Sequence, residues 1–156
     1  MFRLRRRSSD ISSSKLFDQN SFYQAFTNDL RRAKKEVIIE SPFITTKRMT
    51  IMFPLIKGLK KRGVKVVVNT KPIDEHEFEY RIQAEKAITE LQGLGVIVLF
   101  TNGHHRKLAM IDRHTIWEGS LNILSHNDSC EVMRRTCSDQ LAKQMITFLR
   151  LEKFIV

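Results

Sequence analysis

The stretch from His105 to Asn122 reads HRKLAMIDRHTIWEGSLN, and it says more about this chain than any other segment. It contains the pattern H-x-K-x-x-x-x-D, then six residues, then G-S-x-N. With average residue usage, the full pattern arises by chance in a chain of this size about once in a million cases. We therefore interpret its polar positions as one set with a common purpose.

Strand-forming residues surround this pattern. Residues 107–112 are mostly apolar and residues 115–118 are rich in β-formers, so we predict two strands joined by a turn at 113–114. Side chains alternate across a strand, and we therefore expect His105 and Lys107 to project from one face.

Four of the polar side chains suit a tetrahedral phosphate. Lys107 supplies a compact positive charge, and Asn122 and Ser120 supply an amide and a hydroxyl donor, on a shared face if their segment is extended. Such donors stabilise charge on non-bridging oxygens in a transition state. His105 is the expected nucleophile, because imidazole is neutral above its unperturbed pKa of about 6.5.

Two carboxylates have different expected roles. A nucleophilic imidazole benefits from a carboxylate that holds its tautomer through the other ring nitrogen. Glu131, nine residues after Asn122, is the candidate partner of His105. Asp112 is expected on the opposite face of its strand, so we give it a structural role in anchoring the turn that follows.

The pattern resembles the signature of the phospholipase D superfamily, closely over residues 105–131 and loosely over about 20–155. The resemblance implies cleavage or exchange of phosphodiesters without metal, through a histidine nucleophile. It also implies an α/β phospholipase D-like sandwich, in which helices flank a mixed β-sheet. Superfamily enzymes place two copies of the motif face to face, because a leaving oxygen needs a proton from the side opposite the attack.

Only one H-x-K occurs in this sequence. The other four histidines lack a lysine two residues later: His76, His104, His114 and His126. A second copy must then come from another chain, so we predict a two-fold homodimer that pairs His105 with its symmetry mate. One imidazole attacks to form a phosphohistidine and the other donates a proton, which predicts a bell-shaped pH dependence.

Composition favours a polyanionic partner. The chain has 156 residues, with 27 Lys and Arg against 17 Asp and Glu, a net charge of +10. Nucleic acid and an anionic membrane surface are both partners of such a chain, and a generally basic soluble protein is the plain alternative. No apolar run reaches the roughly 18 residues of a membrane span, and none follows the basic N-terminus. We therefore expect a cytoplasmic protein without integral membrane association.

The order of predicted elements is α-β-α-β-α-β-β-β-β-α, an α/β sandwich with a mixed sheet. Residues 1–15 are basic and serine-rich and are expected to form a disordered tail before a single domain, 16–156. The predicted helices lie near 20–35, 47–62, 75–92 and 138–153, and the predicted strands near 36–40, 64–68, 96–100, 107–112, 115–118 and 130–136.

Residues near the motif have weaker interpretations. His104 is expected to face away from His105 and to be a bystander without a catalytic role. For His126 and Asp128, the sequence leaves open whether they line the cleft. Ser41 is a candidate only because the superfamily brings the loop after that strand to the active site. The histidine spacings match no metal-ligand pattern and the cysteines form no C-x-x-C pair, so no metal or cofactor is expected.

Three functions follow from these features. The leading hypothesis is a metal-independent endonuclease acting on DNA or RNA. The second is a phospholipid-cleaving or phosphatidyl-transferring enzyme, which the single motif and the absence of an apolar span disfavour. The third is a nuclease or recognition module of a larger nucleic-acid-processing system.

Overall fold

The computed structural model describes residues 13–155, in which the strands form one seven-stranded mixed sheet in the order β1-β7-β6-β5-β2-β3-β4. The strands are β1 (Ser14–Asp18), β2 (Glu36–Glu40), β3 (Lys65–Thr70), β4 (Ile97–Phe100), β5 (Leu108–Ile111), β6 (Thr115–Gly119) and β7 (Val132–Cys137). β2, β3 and β4 run parallel, and the other neighbours pair antiparallel. The predicted α/β class with a mixed sheet is confirmed.

Helices cover both faces of the sheet. They are α1 (Phe22–Arg32), α2 (Thr46–Lys61), α3 (Phe78–Gly93) and α4 (Asp139–Phe148), with short 3-10 turns at Ile73–Glu75 and Glu152–Phe154. Successive residues of β2 show the division, because Val37 and Ile39 pack with α1, α2 and α3 whereas Ile38 packs with α4. Each such buried aliphatic side chain contributes about 2 kcal/mol to folding. Within residues 13–155, no helix combines the length and apolar content needed to cross a bilayer.

Trp117 is the largest of the fully buried side chains on the α1 face of the sheet. Its indole Nε1 donates to Asp29 Oδ2 at 2.9 Å, and Arg135 Nε donates to the same oxygen at 2.7 Å. Each buried polar group of this cluster therefore has a partner. Trp117 therefore packs in the core.

One strand that the sequence did not predict is present, and the last helix is shorter than predicted. Ser14 and Lys15 belong to β1, which pairs antiparallel with β7, and the rest of the predicted tail up to residue 12 lies outside the described residues. α4 ends at Phe148 instead of near residue 153, because Arg150 takes a left-handed φ of 55°. The amide of Leu151 then bonds back to the carbonyl of Ile146 at 3.1 Å and closes the helix.

Gly119 lies where β6 comes closest to β7. A Cβ atom at this position would stand 2.0 Å from Val132 O and 2.9 Å from Met133 Cα. Both obstacles are backbone atoms of the neighbouring strand, so no side-chain movement relieves the clash. The glycine of the G-S-x-N pattern is therefore required for strand packing.

We predict that Gly119→Ala lowers the free energy of unfolding by about 2–3 kcal/mol, because the two strands must separate to admit the methyl group. Urea denaturation measures the change. Gly93→Ala is the matched control, since an added Cβ there meets nothing within 4 Å, and its effect should stay within about 1 kcal/mol. Equal stability of the two variants would contradict the close approach.

Candidate active site

The polar side chains of the motif collect at one end of the sheet, where β5 and β7 begin and β6 ends. Lys107 precedes β5, Ser120 follows β6 and Glu131 precedes β7. Backbone hydrogen bonds hold these three points together: Gly119 N donates to Lys107 O at 3.3 Å, and Ser120 N donates to Val132 O at 2.9 Å. The site is therefore assembled across three neighbouring antiparallel strands.

His105 and Lys107 lie in the extended segment just before β5 and project to the same side. Lys107 Nζ donates to His105 O at 2.8 Å and lies 3.4 Å from His105 Nδ1. Burial lowers the pKa of Lys107 below its ordinary value, and the negative charge of Glu131 opposes that shift. The imidazole is exposed, so a nucleophilic nitrogen and an ammonium group face solvent together.

The Glu131 carboxylate accepts hydrogen bonds from Ser120 Oγ and, at 2.6 Å, from Ser129 Oγ. The predicted contact with His105 is wrong for the described residues, because the carboxylate forms no hydrogen bond with that imidazole there. The strand register explains this, since Val132 N donates to Ser120 Oγ at 3.1 Å and brings the serine hydroxyl beside Glu131. Ser120 thus donates to Glu131 and not into the pocket.

Asn122 lies in the irregular loop between β6 and β7, and not in the extended segment that would place it beside Ser120. Its Oδ1 atom is buried and has no hydrogen-bond partner within residues 13–155. The loop itself is held in place, because Tyr23 donates its hydroxyl to Ile123 O at 2.9 Å and Ser125 N donates to Asn122 O at 3.1 Å. A positioned amide without a partner is suited to a polar ligand.

Asp112 lies at the far end of β5 from His105, with a left-handed φ of 52°. Its carboxylate accepts hydrogen bonds from the amides of Lys34, Lys35 and Glu36 at 2.9, 2.7 and 3.0 Å. Burial acts to raise the pKa of Asp112, but these three amides hold it below its usual value. Asp112 therefore anchors the start of β2, whereas the sequence analysis predicted that it anchors the turn after its own strand.

The buried carboxylate of Glu40 holds the segment that contains His105 through the two residues that flank this histidine. Glu40 Oε2 lies 2.7 Å from His104 Nε2 and accepts from Arg106 Nε at 2.9 Å, and Oε1 accepts from Asn69 Nδ2 at 3.0 Å. The side chains of Glu40 and His104 are fully buried. Burial acts to raise the pKa of Glu40, but its three partners hold it below the usual value.

Sequence reasoning missed this cluster. His104 is not a bystander, because together with Arg106 it ties its segment to Glu40 while His105 faces the other way. The available signal was a glutamate that ends an otherwise apolar strand directly before Ser41. Ser41 has a structural part, since its hydroxyl accepts from Leu124 N at 3.1 Å and donates to Phe43 O at 3.0 Å.

A cavity of about 290 Å³ opens beside the motif residues. Its lining includes Tyr23, Arg48, Asn122, His126, Asp128 and Glu131, and we call it the Arg48 cavity. His126 and Asp128 therefore do line a cleft. Across residues 13–155, no three His, Cys, Asp or Glu side chains are grouped to hold a metal ion.

Comparisons with known proteins agree with this architecture. The family model described as cardiolipin synthase, PLD-like domain, matches residues 26–151. Nuc, a phospholipase D family member from Salmonella typhimurium, superposes with a TM-score of 0.73 at 18% identity, over 92% of this chain and 95% of that one. NucT from Helicobacter pylori gives 0.70 at 19% identity, over 91% and 96%.

A larger protein shares the fold as well. The phosphatidylserine synthase of Haemophilus influenzae superposes with a TM-score of 0.61 at 14% identity, over 89% of this chain but 38% of that one. A search of curated proteins found no match.

We predict that Glu40→Ala loosens the His105 segment, since His104 and Arg106 lose their shared acceptor. The free energy of unfolding should fall by about 2 kcal/mol, and amide hydrogen exchange of residues 104–107 should accelerate. The matched control is Glu36→Ala, which removes a buried carboxylate bound to Arg113 at the opposite end of β2. Glu36→Ala should lower stability without speeding exchange at 104–107; faster exchange in both variants would contradict the role of Glu40.

We predict that Asp112 makes stability depend on acid pH. Its folded pKa is lowered, so its contribution is present above the unfolded pKa of about 3.9 and is lost as pH falls through the folded pKa. Asp112→Asn should cost about 1 kcal/mol at pH 7 and lose less stability than the wild type below pH 4. Urea denaturation between pH 7 and pH 2 tests this, with the exposed Asp74→Asn as control; parallel curves for wild type and Asp112→Asn would refute it.

Proposed function

Because this chain belongs to the cardiolipin synthase, PLD-like domain family, and with it to the phospholipase D superfamily, we propose that it cleaves phosphodiesters in DNA or RNA as a metal-independent endonuclease. The observation that carries the proposal is the joint placement of His105, Lys107 and Asn122 at one end of the sheet. The order and spacing of the motif are complete in this sequence.

His105 is the proposed nucleophile. Its Nδ1 lies 3.4 Å from Lys107 Nζ, and among the described residues Nε2 has no partner. Nε2 attacks phosphorus, and the new N–P bond forms as the P–O bond to the leaving group breaks. Water then hydrolyses the phosphohistidine and restores the imidazole. Lys107 and the Asn122 amide stabilise the non-bridging oxygens, while Glu131 and Ser120 form the support behind them.

The leaving oxygen takes a proton from the side opposite the attack, where the same His105 cannot reach. A second copy of the chain supplies that proton from its own His105, in a two-fold homodimer. The surface beside Lys107 supports this arrangement. Leu16 and Val132 are 67% and 51% exposed, and both border an open groove of about 580 Å³ that also contains Lys107. Packing of a second copy would remove this apolar surface from water.

Charge favours nucleic acid as the substrate. A net charge of +10 suits a polyphosphate chain. A phospholipid substrate is the second candidate, since the family is named for cardiolipin synthase and a phosphatidylserine synthase shares the fold. A role as a module of a larger nucleic-acid-processing system and a cytoplasmic location stay predictions.

The test is incubation of the purified chain with single- and double-stranded DNA, RNA and phospholipid vesicles, all in excess chelator. We expect nucleic acid to be cleaved, and His105→Ala to lose at least about a thousandfold in rate, because the nucleophile is gone. His114→Ala is the control, since His114 contacts Asp139 at the opposite end of the sheet and should remain active. A phosphohistidine trapped with labelled substrate identifies the intermediate.

Three outcomes would overturn the proposal: loss of cleavage in chelator, full activity of His105→Ala, or cleavage of vesicles without cleavage of nucleic acid. The homodimer is tested separately by dilution. Activity per chain should fall at concentrations at which sedimentation shows single chains, and a rate that is flat from pH 5 to pH 9 would contradict the paired imidazoles.

A further inference from the structure

We propose that the Arg48 cavity binds a second phosphate, that of the nucleotide adjoining the cleaved bond. The identity of this ligand rests on the proposed function, whereas the presence of an anion site rests on the charges and contacts of the cavity alone. Arg48 is its central positive group.

Among the partly buried arginines of residues 13–155, Arg48 is the one whose guanidinium has no oxygen acceptor. A guanidinium has five N–H donors. The side-chain hydrogen-bond contact of Arg48 in the described residues is His126 Nδ1, at 3.4 Å, and its buried Nε has no partner. Four other arginines make ion pairs with carboxylates: Arg106, Arg113, Arg134 and Arg135. A partly buried guanidinium without an oxygen acceptor is suited to bind an anion.

The guanidinium is also held in position. Its Cζ atom lies 3.5 Å above the centre of the Tyr23 ring, and the Tyr23 hydroxyl is bound to the loop that carries Asn122. Stacking on an aromatic ring restricts the orientation of the guanidinium and leaves its N–H edge free to donate. Arg48 is therefore preorganised for a planar two-donor contact with phosphate oxygens.

A second cation, Lys47, lies beside the cavity without lining it. Lys47 Nζ stands 2.9 Å from His126 Nε2, so the ring of His126 lies between Lys47 and Arg48. The nearest carboxylate to this group is Asp128, 3.3 Å from His126 Nε2, and it is 97% exposed to solvent. The charge of Asp128 is therefore largely screened by solvent. Glu131, the other carboxylate that lines the cavity, accepts hydrogen bonds from Ser120 and Ser129.

The cavity adjoins the reacting groups. Asn122 and Glu131 line it and also belong to the candidate active site. A phosphate held by Arg48 would thus be bound to the same substrate as the phosphate attacked by His105. A polynucleotide supplies such neighbouring phosphates in every strand, which favours it over a lipid with one phosphate.

The experiment uses short single-stranded DNA in which one phosphodiester is flanked by neutral methylphosphonates. Binding is measured by fluorescence anisotropy in the His105→Ala background, so that the DNA is not cleaved. Restoring the charge of the adjoining phosphate should tighten binding by about tenfold or more, and Arg48→Ala should abolish this gain. With unmodified DNA, Arg48→Ala should also reduce the slope of log K against log salt by about 0.7.

The matched control is Arg62→Ala directly after the same helix, because Arg62 donates to the carbonyls of Leu30 and Ala33 and its loss should leave both effects in place. Lys47→Ala is the second variant, which weakens binding without disturbing the Tyr23 stack. Thermal denaturation of each variant separates lost binding from lost folding.

An Arg48→Ala variant that still responds to the adjoining phosphate charge would overturn the second site. So would a variant that loses binding to vesicles of cardiolipin but not to DNA, since that assigns the cavity to a lipid headgroup. The proposed function fails if the wild type does not cleave nucleic acid. The binding comparison can still be made in that case, because it does not depend on cleavage. If the wild type cleaves DNA but binding does not respond to the charge of the adjoining phosphate, the second phosphate site is refuted and the proposed nuclease function stands.

Discussion

The structure depends most on the buried carboxylate of Glu40, at the point where β2 ends. A carboxylate with no solvent contact is costly unless donors surround it, and here His104, Arg106 and Asn69 do so. Two of these donors flank His105 in the sequence. Because an extended chain alternates its side chains, the pair that satisfies Glu40 forces His105 and Lys107 to the opposite side. The requirement of one buried charge therefore directs the reactive groups outward.

The two ends of β2 and β5 have separate tasks. At the end that carries Asp112, three backbone amides and the ion pair of Glu36 with Arg113 join the sheet to the start of β2. No group of the motif other than Asp112 lies there. At the opposite end, where β5 and β7 begin and β6 ends, Glu131 accepts hydrogen bonds from Ser120 and Ser129. The anchoring contacts and the candidate site are thus about one strand length apart, and at the candidate site the buried Oδ1 atom of Asn122 has no partner within residues 13–155.

The proposed anion site in the Arg48 cavity would extend the candidate site from one phosphate to two. Arg48 lies on α2, Tyr23 on α1 and His126 in the loop before β7. Three segments that are distant in the sequence therefore surround the Arg48 guanidinium. In the sequence these residues look like an ordinary cationic helix start and an isolated histidine. Only the tertiary structure shows that they line one cavity together with Asn122 and Glu131.

What the sequence determined by itself was local. Short runs of apolar and β-forming residues placed β2, β5 and β6 within one or two residues of their observed ends. The spacing of His105 and Lys107 put both side chains on one side of an extended chain. Tertiary structure decided what depended on pairing between distant segments. The hydrophobic pattern of β1 is too short to stand out without β7, and the register of Ser120 against Val132 gave Glu131 a hydroxyl partner in place of His105. The environments of Glu40 and Arg48 also depend on the tertiary structure, because the fold decides which side chains lie within hydrogen-bond distance of each charge.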